Sequence, residues 1–118
     1  VLVEGDIKAM ASNAIVFALS NPDPEIDPSI ARKFAAVVAT GRSDHPNQIN
    51  NVLAFPGFFR GLLDSGSNKI TDSMLLSAAR AVANCVSDIQ LNSSFIVPSV
   101  FDPNVSKAVA ESVKSALT

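Results

Sequence analysis

The chain of 118 residues holds a single cysteine, Cys85, so it can build neither a disulfide framework nor a thiolate metal cluster. That scarcity fits a reducing, cytoplasmic compartment. No run approaches the roughly 18 apolar residues of a membrane-spanning helix. No basic segment precedes an apolar stretch as it does in a secretory leader. Charge is sparse as well: 17% of residues are charged, the net charge is -2, and the lysines and arginines are scattered. This excludes a nucleic-acid groove and a polybasic membrane patch. Tyrosine is missing altogether, and His45 is the one histidine. No Gly-x-Gly-x-x-Gly follows a strand-like run, so the usual pyrophosphate cradle is absent. No carboxylates are spaced to hold a divalent metal. The chain by itself lacks a recognisable acid, base and metal site.

What it does have is apolar residues, 47% of the total, enough for one domain of ordinary size to bury a core. So little charge with so much hydrophobicity implies that part of the surface lies against more protein. The sequence also starts without Met and falls straight into pattern, which reads as a piece of a longer polypeptide.

Strand and helix patterns alternate along the chain. Asp6 precedes Ile7, Met10 and Ala11 at helical spacing and can accept hydrogen bonds from the first amides of a short helix. Ala14-Ile15-Val16-Phe17-Ala18-Leu19 is a continuous apolar run, expected to be a strand buried on both faces. It stops at Ser20-Asn21-Pro22-Asp23-Pro24, where two prolines forbid further ladder pairing. Asp27-Pro28 reads as a cap with proline at the first helical position, opening a short helix with Ile30, Ala31 and Phe34 inward. Residues 35 to 39 form a second expected strand and 51 to 55 a shorter third. Pro56 starts a helix carrying Phe58, Phe59, Leu62 and Leu63, closed near Gly66. In that helix Gly57 and Gly61, four apart, permit close backbone approach. Thr71 caps the longest helix, about 72 to 86, with an apolar stripe of Met74, Leu75, Ala78, Ala79, Val82, Ala83 and Val86. Asp102-Pro103 starts a last helix with Val105, Val109, Val113 and Ala116 on one side. No repeat and no internal domain boundary is evident. The alternation predicts an α/β fold, a parallel sheet with flanking helices.

In an open parallel sheet, ligands bind at the carboxyl ends of the strands. Asn21 follows the first expected strand. The segment "ATGRSDHPNQINNVLAFPG" (39 to 57) then crowds Asn47, Gln48, Asn50 and Asn51 between two apolar runs. A carboxamide offers two donors and an acceptor without net charge. It can hold a carboxylate or another amide without the desolvation cost of a buried cation. Turn formation is the competing reading for any such Asn, and for Asn47 and Gln48 loop structure is the preferred one. Arg42 and Asp44 can pair locally. His45 reads as a solvated or supporting group, and Cys85 as a small apolar filler.

"IVFALSNPDPEI" (15 to 26), "ATGRSDHPNQINNVLAFPGFFRG" (39 to 61) and "ITDSMLL" (70 to 76) closely resemble the malic enzymes of bacterial type. The likeness is collinear over essentially the whole chain. It implies a partial Rossmann-like sheet, the carboxyl-terminal part of an NAD(P)-binding domain spanning residues 1–118. It also implies a parent enzyme that oxidatively decarboxylates malate to pyruvate and carbon dioxide with NAD or NADP and magnesium or manganese. Under that resemblance Asn21 and Asn51 line the substrate site. Asn21, Asn50 and Asn51 contact the cofactor, with Asn51 bonding a malate carboxylate and Asn21 malate or the nicotinamide ribose. The family's acid tyrosine, base lysine, metal-binding carboxylates and glycine-rich loop all fall upstream of Val1, so no catalytic or metal-ligating residue is expected here. His45 stands where these sequences often have Tyr. Expected partners are malate or pyruvate and the rest of the parent enzyme, itself a homo-oligomer such as a dimer, with no nucleic acid and no membrane. Some bacterial members carry a phosphotransacetylase-like domain after this region, and this sequence shows none. A free-standing, non-catalytic α/β interaction module is the alternative, and another Rossmann-type dehydrogenase a third reading.

Overall fold

Two parallel strands, a short 3₁₀ turn and five helices make up the computed structural model, which describes residues 1–116. The expected domain limit at Thr118 lies outside the described residues. In chain order the elements are α1 (Glu4–Lys8), β1 (Ile15–Ala18), α2 (Pro28–Ala31), β2 (Val37–Thr40), the 3₁₀ turn (Asn51–Leu53), α3 (Phe55–Ser65), α4 (Asp72–Asn84) and α5 (Asn104–Lys114). The α/β class and the parallel pairing agree with the sequence pattern. The chain divides into two compact units, residues 1–49 with 91–96, and residues 50–90 with the described residues from 97 onward, a boundary that composition did not reveal.

The first unit is built on β1 and β2, which pair in parallel with Ile15 opposite Val37 and Ala18 opposite Thr40. A single core holds Ile7 of α1, Val16 and Ala18 of β1, Ile26, Ala31 of α2, Ala35 and Val38 of β2. Ile30 and Phe34 pack against it, as their spacing predicted. Burying one such Val or Ile side chain stabilises by roughly 1.5–3 kcal/mol. Caps fix the helices. Asp27 accepts from the Ser29 amide at 2.9 Å with Pro28 at the first helical position. Asp6 sits inside α1, not ahead of it, and reaches back to the Val3 amide at 2.8 Å.

One expectation for this unit fails. Strand β1 is not buried on both faces: Val16 and Ala18 are buried, whereas Ile15 is 64% and Phe17 51% exposed. Side chains alternate across a strand, and this chain supplies core residues for one face only. The strands are also shorter than their apolar runs, and β2 starts later, at Val37.

The second unit is helical. Leu53, Phe58, Met74, Ala78 and Ala81 pack with Val105, Val109 and Val113 of α5, the last two with no exposed surface. The strand expected over 51 to 55 does not form. Asn50 accepts from the Val52 amide at 3.0 Å, an Asx turn that coils 51–53 into a 3₁₀ turn running into α3. The helix glycines behave as expected. A Cβ on Gly57 would lie 2.4 Å from the Ser106 carbonyl oxygen, and one on Gly61 2.4 Å from that of Ala110. The α3 and α5 backbones therefore meet closely, at positions where any side chain would part them. Gly66, at φ 70°, ends α3. Thr71 caps α4 through the Met74 amide. Along α4 the buried stripe is narrower than predicted: Met74, Ala78 and Ala81 are buried, while Leu75, Ala79 and Ala83 are exposed. Asp102 accepts from the Asn104 amide at the start of α5.

Candidate functional site

The carboxyl ends of β1 and β2 lie side by side because Ala18 pairs with Thr40. Two loops leave from that edge. The first, after β1, is tied by its own acidic residue: the Ser20 amide donates to the Glu25 carboxylate at 2.8 Å. This bond holds the Glu25 pKa below its ordinary value. Asn21 projects from this loop, exposed, and its carboxamide makes no hydrogen bond among the described residues. The Asn21–Pro22 peptide is cis.

The second loop begins at Gly41. A Cβ there would sit 3.1 Å from Asn21 Oδ1, so glycine is what lets the carboxamide lie against the strand end. Thr40, fully buried, accepts the Arg42 amide on its Oγ1 at 3.1 Å. Arg42 then forks onto Asp44 through Nε at 2.8 Å and Nη2 at 2.7 Å, with Asp23 4.0 Å from Nη1. The guanidinium bond draws the Asp44 pKa down to about 2, and the same bond raises that of Arg42. Between the two loops lies an open groove of about 520 Å³ lined by Asn21, Pro22, Gly41, Arg42, Ser43 and Asp44. A polar recess of about 380 Å³ lies beside it, where Arg42 and His45 face Asp23 and Asp27. His45 Nδ1 is 3.4 Å from Arg32 Nη1. An arginine only donates, so Nδ1 is the acceptor. His45 is thus a half-buried partner of Arg32.

Asn47, Asn50 and Asn51 divide by environment. Asn47 is 7% exposed, at φ 59°, and spends its carboxamide inside the first unit. Its Nδ2 donates to Val38 O at 3.0 Å and Ser93 O at 2.8 Å, and its Oδ1 accepts from the Ile96 amide at 3.0 Å. The structural reading of Asn47 is correct. In the second unit Asn50 caps the 3₁₀ turn through Oδ1. Asn51 opens that turn, exposed, and its carboxamide makes no hydrogen bond among the described residues. The open amides are therefore Asn21 and Asn51, and the Nδ2 of Asn50. Gly41 was not singled out from the sequence. Its signal was there: a glycine directly after a strand, facing a loop that carries an amide.

Among the described residues no group of three His, Cys, Asp or Glu side chains could hold a metal ion. No helix is long and apolar enough to cross a membrane. Cys85 is half-buried against the core of the second unit, and burial pushes its thiol pKa up. Each lysine of the chain is exposed.

Residues 2–118 match the family profile described as "Malic enzyme, NAD binding domain". The chain belongs to the malic enzyme NAD-binding domain family. It is 52% identical over 111 residues to the NAD-dependent malic enzyme of Geobacillus stearothermophilus, covering 94% of this chain and 23% of that protein. It is 49% identical to the bifunctional malic/malolactic enzyme of Bacillus subtilis, covering 93% of this chain and 27% of that one. The crystal structure of malic enzyme from Pyrococcus horikoshii superposes with a TM-score of 0.89 at 49% identity, over 94% of this chain and 25% of that one. The chain thus spans about a quarter of the length of these malic enzymes. Family membership confirms the resemblance read from the segments at 15 to 26, 39 to 61 and 70 to 76. It also places this α/β segment in a nicotinamide-cofactor domain family.

Proposed function

We propose that this chain is the carboxyl-terminal part of the cofactor domain of a malic enzyme, which oxidises malate with NAD or NADP and releases pyruvate and carbon dioxide. The observation that carries the reading is the family match over nearly the whole chain, in relatives named as NAD- or NADP-dependent malic enzymes.

The chain's own residues suit a binding and orienting role. Gly41 leaves room for the Asn21 carboxamide at the strand end, and that amide complements the hydroxyls of a ribose or the carboxamide of a nicotinamide ring. Asn51, neutral and exposed, suits a malate carboxylate, with Asn50 beside it. Positioning of this kind lowers a barrier by converting encounters into fixed geometry. The bound nicotinamide would supply the hydride acceptor. A divalent magnesium or manganese has no fitting ligand set among the described residues. Acid, base and metal ligands belong to other parts of the parent protein in this reading. That protein is cytoplasmic and a homo-oligomer such as a dimer. The test is turnover by the full-length protein containing these residues, given malate, manganese and NAD or NADP. Reduced cofactor and pyruvate in equal amounts support the reading; their absence overturns it.

A further inference from the structure

Residues 41–47 form a closed excursion from β2. The chain leaves at Thr40 and returns beside it: the Ile49 amide donates to Thr40 O at 2.7 Å, and the Thr40 amide meets Asn47 O at 3.4 Å. Gly41, Arg42, Ser43 and Asp44, one wall of the groove, all ride on this excursion. Two buried polar side chains hold it. Thr40 secures its start through the Arg42 amide. Asn47 secures its end, in the left-handed region that asparagine tolerates better than most residues. Its three bonds reach two separate stretches of chain, Val38 within β2 and the 93–96 segment. No other residue type offers two donors and an acceptor in so short a planar group.

We infer that Asn47 is a positioning residue: its carboxamide sets the groove wall of Gly41 and Arg42 against Asn21, and so tunes affinity for whatever the groove binds. This rests on the reading above for the identity of the ligand, malate with its nicotinamide cofactor, and not for the geometry. Asn47 touches no ligand in this scheme and acts through the loop it closes. Aspartate there would set a carboxylate against the Val38 and Ser93 carbonyl oxygens. Glycine would keep the backbone conformation and delete the bonds.

The experiment compares Asn47→Gly and Asn47→Asp with the parent sequence in the full-length protein, at a temperature where circular dichroism shows all three folded. Two quantities are read: Michaelis constants with kcat, and amide hydrogen exchange of 41–44 and Ile96. A positioning role predicts at least a tenfold rise in the malate or cofactor Michaelis constant, with kcat within threefold. It also predicts at least tenfold faster exchange at Arg42 and Ile96, with β1 unchanged. Should Asn47→Asp not fold, Asn47→Gly and the milder Asn47→Ser carry the comparison. Altered thermal stability with unchanged Michaelis constants would reduce Asn47 to a structural residue and overturn the inference. Should the parent sequence not turn over malate, the functional reading fails separately. Exchange at 41–44 then decides on Asn47 alone, and unchanged exchange overturns it.

Discussion

Asn47 and Asn51 are the same side chain four positions apart, and their environments are opposite. Asn47 is buried with its donors and acceptor occupied; Asn51 is exposed with its carboxamide open. The sequence already favoured loop structure for Asn47, but its buried bonds were not legible, because the partners at 93–96 are distant in sequence. Local pairs were easier to read, as with Arg42 and Asp44, two positions apart. For the exposed amide, Asn51→Asp in the full-length protein should raise the malate Michaelis constant at least tenfold, about 1.4 kcal/mol, by setting carboxylate against carboxylate. Steady-state kinetics check this, and an unchanged constant removes Asn51 from the site. For the ion pair, the Asp44 carboxyl should titrate with a midpoint of about 2, followed by carboxyl carbon chemical shift. Arg42→Met should return it toward 3.8, the unperturbed value. Because the folded pKa is the lower one, the pair's contribution to stability is complete above about 3.8 and vanishes as pH falls through about 2.

Among the elements, those with local punctuation were legible to their ends, whereas of three apolar runs read as strands two formed β1 and β2, each shorter than its run, and the third did not form a strand. Asp27-Pro28, Thr71 and Gly66 mark helix ends through bonds or dihedrals set within a few residues, and all three occur as read. The run at 52 to 55 has no period to distinguish strand from helix, and the Asx turn at Asn50 settles it as a 3₁₀ turn. The spacing of Gly57 and Gly61 was informative because a four-residue interval keeps both on one helix face. Alanine has a helix propensity better than glycine by about 0.8–1.0 kcal/mol. At Gly57 and Gly61 the clash of an added Cβ with the facing α5 carbonyl oxygen outweighs that gain. Gly57→Ala or Gly61→Ala should destabilise by about 1–3 kcal/mol, the usual cost of overpacking. Gly5→Ala, in α1 with nothing within 4 Å of its Cβ position, should instead stabilise by about 0.4–1 kcal/mol. Urea unfolding of the three variants reads both signs, and a stabilised Gly61→Ala would contradict the close α3–α5 packing.

At the scale of the whole molecule, the low charge content has its counterpart in large apolar side chains at the surface. Ile15 and Phe17 on β1 and Phe55, Phe59 and Leu63 along α3 are all exposed. The expectation that some surface lies against more protein accords with a chain spanning about a quarter of the malic enzymes it matches. Fold class was legible from the alternation of strand and helix. The division into two units was not, because residues 91–96 join the first unit through long-range bonds to Asn47. The measurement that bears most directly on the account is malate-dependent reduction of NAD or NADP, with manganese present, by two preparations in parallel: the 118-residue chain and the full-length protein that contains it. On the proposed reading the full-length protein should turn over and the chain alone should stay at the blank. Turnover by the chain alone, or none by the full-length protein, would contradict the account.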